Sequence, residues 1–188
     1  MAVRVILYSG GLDSFIGAAL LEREQPGWKK VYFNIGSRYS AKEAMLLPGD
    51  VYHNRAMSLD GLERDDGFVP QRNVLLVTAA QAFNDADEIA LCGVRGEYSR
   101  DKHPTFYRQA SQLLSYTAGK PVCVFSPFER KTKSQAVAMY LKAQLPIAPL
   151  LQTVSCYHPT ERACGECMSC FRRWVALENN GLQQEWAK

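Results

Sequence analysis

The sequence predicts a doubly wound α/β fold on a mainly parallel sheet, with a small metal-binding module at its C-terminal end. Three observations carry this expectation. Short apolar, β-branched runs alternate with longer helical patterns as far as residue 143, the rhythm of βαβ units. A glycine turn, Ser9-Gly10-Gly11, joins the first run to the first helical pattern. After Leu145-Pro146-Ile147-Ala148-Pro149 the composition shifts to cysteine, arginine and tryptophan.

Taken in chain order, 3–8 reads as a strand, 14–24 as a helix, 31–35 as a strand and 40–47 as a helix. The polar stretch 48–66 reads as an edge element plus loop. Further on, 74–84 is a helix that Asn73 can cap, 88–93 a short buried strand and 105–118 a helix. A strand at 122–125 and a helix at 133–143 complete the pattern. The 188 residues, 47% hydrophobic and 22% charged, suit one domain over 1–150 with an appended module over 151–188 packed on it.

A net charge of +3 without a basic run longer than two residues gives no reason to expect direct nucleic-acid binding. The N-terminus enters a strand with no signal-like segment, and no 18-residue apolar window occurs, so a cytoplasmic protein without membrane association is expected. Cys92 and Cys123 stand singly in apolar runs and read as core; the other four cysteines lie together near the C-terminus.

Ser9-Gly10-Gly11-Leu12-Asp13-Ser14 follows a strand and opens a helix. Two adjacent glycines let the backbone approach an anion, while N–H groups of the turn and the helix start point at it. A phosphate or pyrophosphate ligand is implied. The alternative is an ordinary turn with Asp13 or Ser14 as N-cap. The hexamer resembles the PP-loop of N-type ATP pyrophosphatases, which cleave ATP between its α- and β-phosphates and activate a substrate as an adenylate. That resemblance gives Ser9, Gly10, Gly11, Leu12 and Ser14 to the pyrophosphate and Asp13 to Mg²⁺ or the loop backbone. A Gly-x4-Gly-Lys-Ser/Thr loop is absent, which argues against γ-phosphoryl transfer.

Cys156, Cys164, Cys167 and Cys170 form Cys-x7-Cys-x2-Cys-x2-Cys, a pattern able to close a tetrahedral structural zinc site. A disulfide framework is disfavoured without an export signal. An iron–sulfur cluster uses the same ligand type but lacks a redox context here. Arg172 and Arg173 lie close enough in sequence to offset the thiolate charge, and His158 is left outside the ligand set.

Val69-Pro70-Gln71-Arg72-Asn73 brings Arg72 toward the cleft expected beyond the strands. The glycine-rich, charged loop 93–104 follows a strand and suits recognition of a polar ring and a carboxylate. Together with Thr153-x-Ser155-Cys156-Tyr157 and Cys164-Gly165-x-Cys167-x-Ser169-Cys170-x-x-Arg173, these pieces resemble the QueC-type 7-cyano-7-deazaguanine synthases over nearly the whole chain. The resemblance implies an adenine nucleotide alpha hydrolase-like PP-loop fold and a homodimer. It also implies ATP-dependent conversion of 7-carboxy-7-deazaguanine and ammonia into a nitrile, with ATP, Mg²⁺ and Zn²⁺. It assigns catalytic roles to Asp13, Arg72 and Asp101, and substrate contacts to Arg38, Arg72, Glu97, Tyr98 and Asp101.

Two segments depart from that family. Phe33-Asn34-Ile35-Gly36-Ser37-Arg38-Tyr39 stands where Phe-Asp-Tyr-Gly-Gln-Arg-His is usual, and Asp101-Lys102-His103 where Asp-Cys-Arg is usual. These changes leave open a variant that stops at the amide or uses a related acid. A PP-loop RNA-modifying enzyme and a zinc-stabilised nucleotide sensor are the other readings.

Overall fold

The structure, a computed structural model, describes residues 2–55, 57–96, 99–159 and 163–183. Five parallel strands form one sheet in the order β3-β2-β1-β4-β5: β1 Arg4–Leu7, β2 Trp28–Phe33, β3 Tyr52–Asn54, β4 Glu88–Ala90 and β5 Cys123–Phe125. The doubly wound expectation is met. The direction of winding reverses between β1 and β4, which opens a crevice beyond their carboxyl ends.

Among the described residues there are seven α-helices: α1 Leu12–Glu24, α2 Ser40–Leu46, α3 Arg72–Asn84, α4 Pro104–Ala118, α5 Lys133–Lys142, α6 Ile147–Gln152 and α7 Met168–Glu178. Successive residues of β1 serve opposite cores, which is why the strand reads as a continuous apolar run. Ile6 packs with Leu12 and Ile16 of α1, Val137 of α5, Leu150 of α6 and Leu177 of α7. Val5 and Leu7 pack on the other side with Val77 of α3 and Leu114 of α4.

Local chemistry fixes several helix ends. Thr132 and Gln135 form a reciprocal capping box at the start of α5. His103 caps α4, Pro104 occupies its first turn, and Gly119 ends it at φ +65°.

Four expectations need correction. Asn73 does not cap α3; the helix starts two residues earlier than expected, at Arg72 behind Gln71 at φ +58°, and Asn73 lies buried within it. Cys123 is exposed rather than core, because β5 is a sheet edge and α4 packs on the side that holds Val124. Of the Pro-rich junction, Ile147–Gln152 is helical; Pro149 sits in its first turn, where its missing N–H costs nothing. The cysteine-rich segment continues into α7, for which no helix was expected.

In the middle of α1, Gly17 lies where any Cβ would fall 2.2 Å from Cys92 Sγ and 3.4 Å from Phe128 Cε2. Gly17→Ala is therefore expected to destabilise the fold by about 1–3 kcal/mol through overpacking, despite alanine's better helix propensity. A melt of the single variant checks the loss. In a Cys92→Ala background most of it should disappear; an equal loss there would refute the steric account.

Candidate functional site

The loop after β1 shapes the floor of a cavity of about 230 Å³ in the crevice. Gly10 adopts φ +74°, the left-handed region that favours glycine. Neither Asp13 nor Ser14 caps α1, whose N-cap is Gly11 without a side-chain bond. The hydroxyls instead brace the loop: Ser14 Oγ accepts from Ser9 N at 3.2 Å and donates to the Gly11 carbonyl at 3.0 Å. Leu12 N donates to Ser155 Oγ at 3.1 Å, so a residue 143 positions later completes the turn. A Cβ on Gly11 would meet Ser9 Oγ at 3.3 Å and Ser155 Oγ at 3.4 Å.

Around this floor the walls are cationic. Arg72, Lys102, Lys133 and Lys42 all line the cavity. Lys133, from the first turn of α5, pairs with Asp13 Oδ2. The other oxygen of Asp13, Oδ1, is buried without a hydrogen-bond partner. An orphaned carboxylate oxygen beside a phosphate-type loop fits a hard cation that prefers oxygen ligands, the chemistry of Mg²⁺. Arg72 donates to the Tyr39 hydroxyl at 3.2 Å. Burial lowers the Lys102 pKa to about 7, with the Arg72 charge adding to the shift and Asp13 opposing it.

A further wall comes from the cysteine-rich segment, which lines the cavity with Ser155, Cys156 and Tyr157. Sγ atoms of Cys156, Cys164, Cys167 and Cys170 all lie within 4.8 Å of one another, and Cys164 and Cys170 are 3.9 Å apart. Zn–S bonds of about 2.3 Å give a tetrahedral edge of about 3.8 Å, whereas a disulfide needs about 2.05 Å. The cluster has the dimensions of a zinc site. Cys156 is tuned toward the thiolate: burial pushes its pKa up, but N–H donors from Cys164 and His158 outweigh this and bring it to about 6. Arg173 is 1% exposed, with Nε and Nη1 unpartnered and Nη2 on the Leu151 carbonyl. A buried, under-bonded guanidinium beside Cys170 suits the dianionic charge of a four-thiolate zinc centre.

Residues 49–181 match the family described as "Queuosine biosynthesis protein QueC". The chain belongs to the QueC family. Among its relatives is a 7-cyano-7-deazaguanine synthase of Marinobacter nauticus, 28% identical over 95% of this chain and 93% of that protein. One of Persephonella marina is 27% identical over 98% and 96%. An archaeal one, from Sulfolobus acidocaldarius, is 28% identical over 95% of this chain and 46% of its own length.

For a QueC protein the placement of the other residues picked out from sequence is uneven. Ser9, Gly10, Gly11, Leu12, Asp13, Ser14 and Arg72 share the cavity. Arg38 is absent from its lining and is committed to a neighbouring loop, with Nε on Glu63 at 2.9 Å and Nη2 on the Arg64 carbonyl at 2.6 Å. Asp101 is also absent from the lining; its carboxylate accepts from Ser99 Oγ. Glu97 and Tyr98 lie outside the described residues. Sequence reasoning missed Lys133, Glu43 and the hydroxyl contact of Ser155. The capping box Thr132-x-x-Gln135 was a legible marker of a helix start that would present Lys133. No helix among the described residues is long and apolar enough to cross a membrane.

Proposed function

We propose that this chain converts 7-carboxy-7-deazaguanine, ammonia and ATP into 7-cyano-7-deazaguanine. The observation that carries the reading is a PP-loop whose Leu12 N–H is held by Ser155, next to the first cysteine of the family's cysteine block. The substrate carboxylate is a poor electrophile because oxide is a poor leaving group. Attack of its oxygen on the α-phosphate of ATP forms an acyl adenylate and releases pyrophosphate. Ammonia displaces AMP to give the amide, with its surplus proton going to solvent. Adenylation of the amide oxygen by a second ATP, then loss of AMP and a proton, leaves the nitrile.

In this reading Ser9, Gly10, Gly11, Leu12 and Ser14 hold the pyrophosphate, and Arg72 orients the substrate carboxylate. Asp13 Oδ1 would hold Mg²⁺, which when bound neutralises phosphate charge. Lys133 fixes the Asp13 rotamer and adds positive charge. Arg38, Glu97, Tyr98 and Asp101 remain candidates for the substrate side. We assign residues 1–150 to the nucleotide-binding domain and 151–188 to the zinc module, and place the protein in the cytoplasm, where thiols stay reduced. Exposed Met168, Phe171 and Trp174 on α7 offer an apolar patch for a second copy in a homodimer.

Mass spectrometry of the products formed from the acid, ammonium, Mg²⁺ and ATP tests the reading. Nitrile formation is the expected result. Accumulation of amide would make the chain a one-step relative, and pyrophosphate release that ignores the acid would refute the assignment.

A further inference from the structure

Among the cationic groups of the cavity stand two carboxylates with different surroundings. Asp13 is ion-paired to Lys133. Glu43, on α2, lines the same cavity but has no ion-pair partner among the described residues. The two cations whose charges act on it have hydrogen-bond partners elsewhere: Arg72 the Tyr39 hydroxyl and Lys42 the His158 carbonyl. Among the described residues only the Tyr32 hydroxyl bonds its carboxylate, donating to Oε2 at 2.9 Å. Oε1 accepts no hydrogen bond among the described residues and is not sealed from solvent.

Holding a carboxylate there is unfavourable. Burial raises the Glu43 pKa to about 7 even though Tyr32, Arg72 and Lys42 all pull it down. A negative charge also repels phosphates and a carboxylate substrate, so Glu43 serves another part of the ligands. What a half-buried carboxylate recognises well is a pair of adjacent N–H donors, one for each oxygen. The 2-amino-4-oxopyrimidine ring of 7-carboxy-7-deazaguanine offers N1–H beside its 2-amino group. Adenine offers one amino group beside an acceptor nitrogen, so the ionised form, which the paired donors of the deazaguanine ring themselves favour, meets adenine with only one bond.

We infer that Glu43 reads the paired N–H donors on the six-membered ring of the deazaguanine acid, with Tyr32 holding the carboxylate in place. This inference rests on the substrate proposed above and adds a specificity-determining residue to it. Arg72 and Glu43 would then grip opposite ends of one ligand, the first at the carboxylate and the second at the donor edge.

The test is calorimetry with a non-hydrolysable ATP analogue bound, using 7-carboxy-7-deazaguanine and its 2-deamino analogue as probes. Wild type is expected to prefer the 2-amino acid by about 10- to 100-fold, the worth of a hydrogen bond to a charged group. Glu43→Gln, nearly isosteric but with a donor facing N1–H, should abolish that preference while leaving nucleotide affinity within about twofold. Tyr32→Phe should reduce it less, because it removes only the orienting bond.

A Glu43→Gln protein that keeps the preference, or that loses nucleotide and acid affinity alike, would overturn the inference. If wild type binds and converts both acids equally, Glu43 loses its role while the proposed reaction stands. If wild type prefers the 2-amino acid but forms no nitrile, the reaction falls and the recognition stands. Binding of neither acid would remove both.

Discussion

Exchanging Asp13 for Asn, or Lys133 for Met, is expected to lower pyrophosphate release about 10²- to 10³-fold, the usual loss when a preorganised electrostatic group leaves a reacting phosphate site. Both variants should fold. Asn keeps the shape of Asp13, and α5 is held at its start by the Thr132–Gln135 box rather than by Lys133. The ion pair spans 120 positions and sits at the mouth of the loop, so it sets where the free oxygen of Asp13 points. Steady-state pyrophosphate release beside a thermal melt checks this. The charge-reversed pair, Asp13→Lys with Lys133→Asp, separates the roles: a merely structural bridge would be restored by it, whereas a metal-holding oxygen would not. Wild-type turnover in either single variant would refute the role.

Losing a zinc ion held by the four cysteines should act on the fold and on the cavity together. Cys170 is fully buried beside the buried Arg173, and α7 packs on α5 in the same core that holds Ile6 and Leu12. Cys170→Ala is expected to abolish zinc binding and leave the Arg173 cation without its counter-charge. Breaking a buried charge arrangement costs about 3–5 kcal/mol, which for a chain of this size is a melting temperature lower by about 10 °C. Nucleotide affinity should fall with it, because Ser155 and Cys156 both line the cavity. Ser155→Ala gives the control: full zinc content and a near-normal melt, but weaker nucleotide binding from the lost Leu12 contact. Metal analysis, melts and nucleotide titration read all three. A metal-free Cys170→Ala protein that binds nucleotide normally would show that the module does not brace the loop.

What could be read from the sequence follows the range of the signal. The glycine hexamer and the cysteine quartet carry their chemistry within a few residues, and the structure assembles both. Strand and helix order was legible because each βα unit is local, and the errors fell where neighbours decide. The left-handed Gln71 moves the start of α3, so Asn73 is buried rather than capping. Cys123 looks like core by composition, yet it lies on an edge strand that α4 packs against on the Val124 side. Lys133 and Glu43 reach the cavity only after segments far apart in sequence have packed, and the direction of Arg38 is set by the loop that holds Glu63. None of these has a local pattern.

The bond from Leu12 N–H to Ser155 Oγ ties almost the first turn of the chain to almost the last module. Synthesis therefore delivers the glycine loop early and its brace late. A nascent chain that ends before Ser155 already carries all five strands yet lacks the hydroxyl that receives the Leu12 N–H and completes the turn.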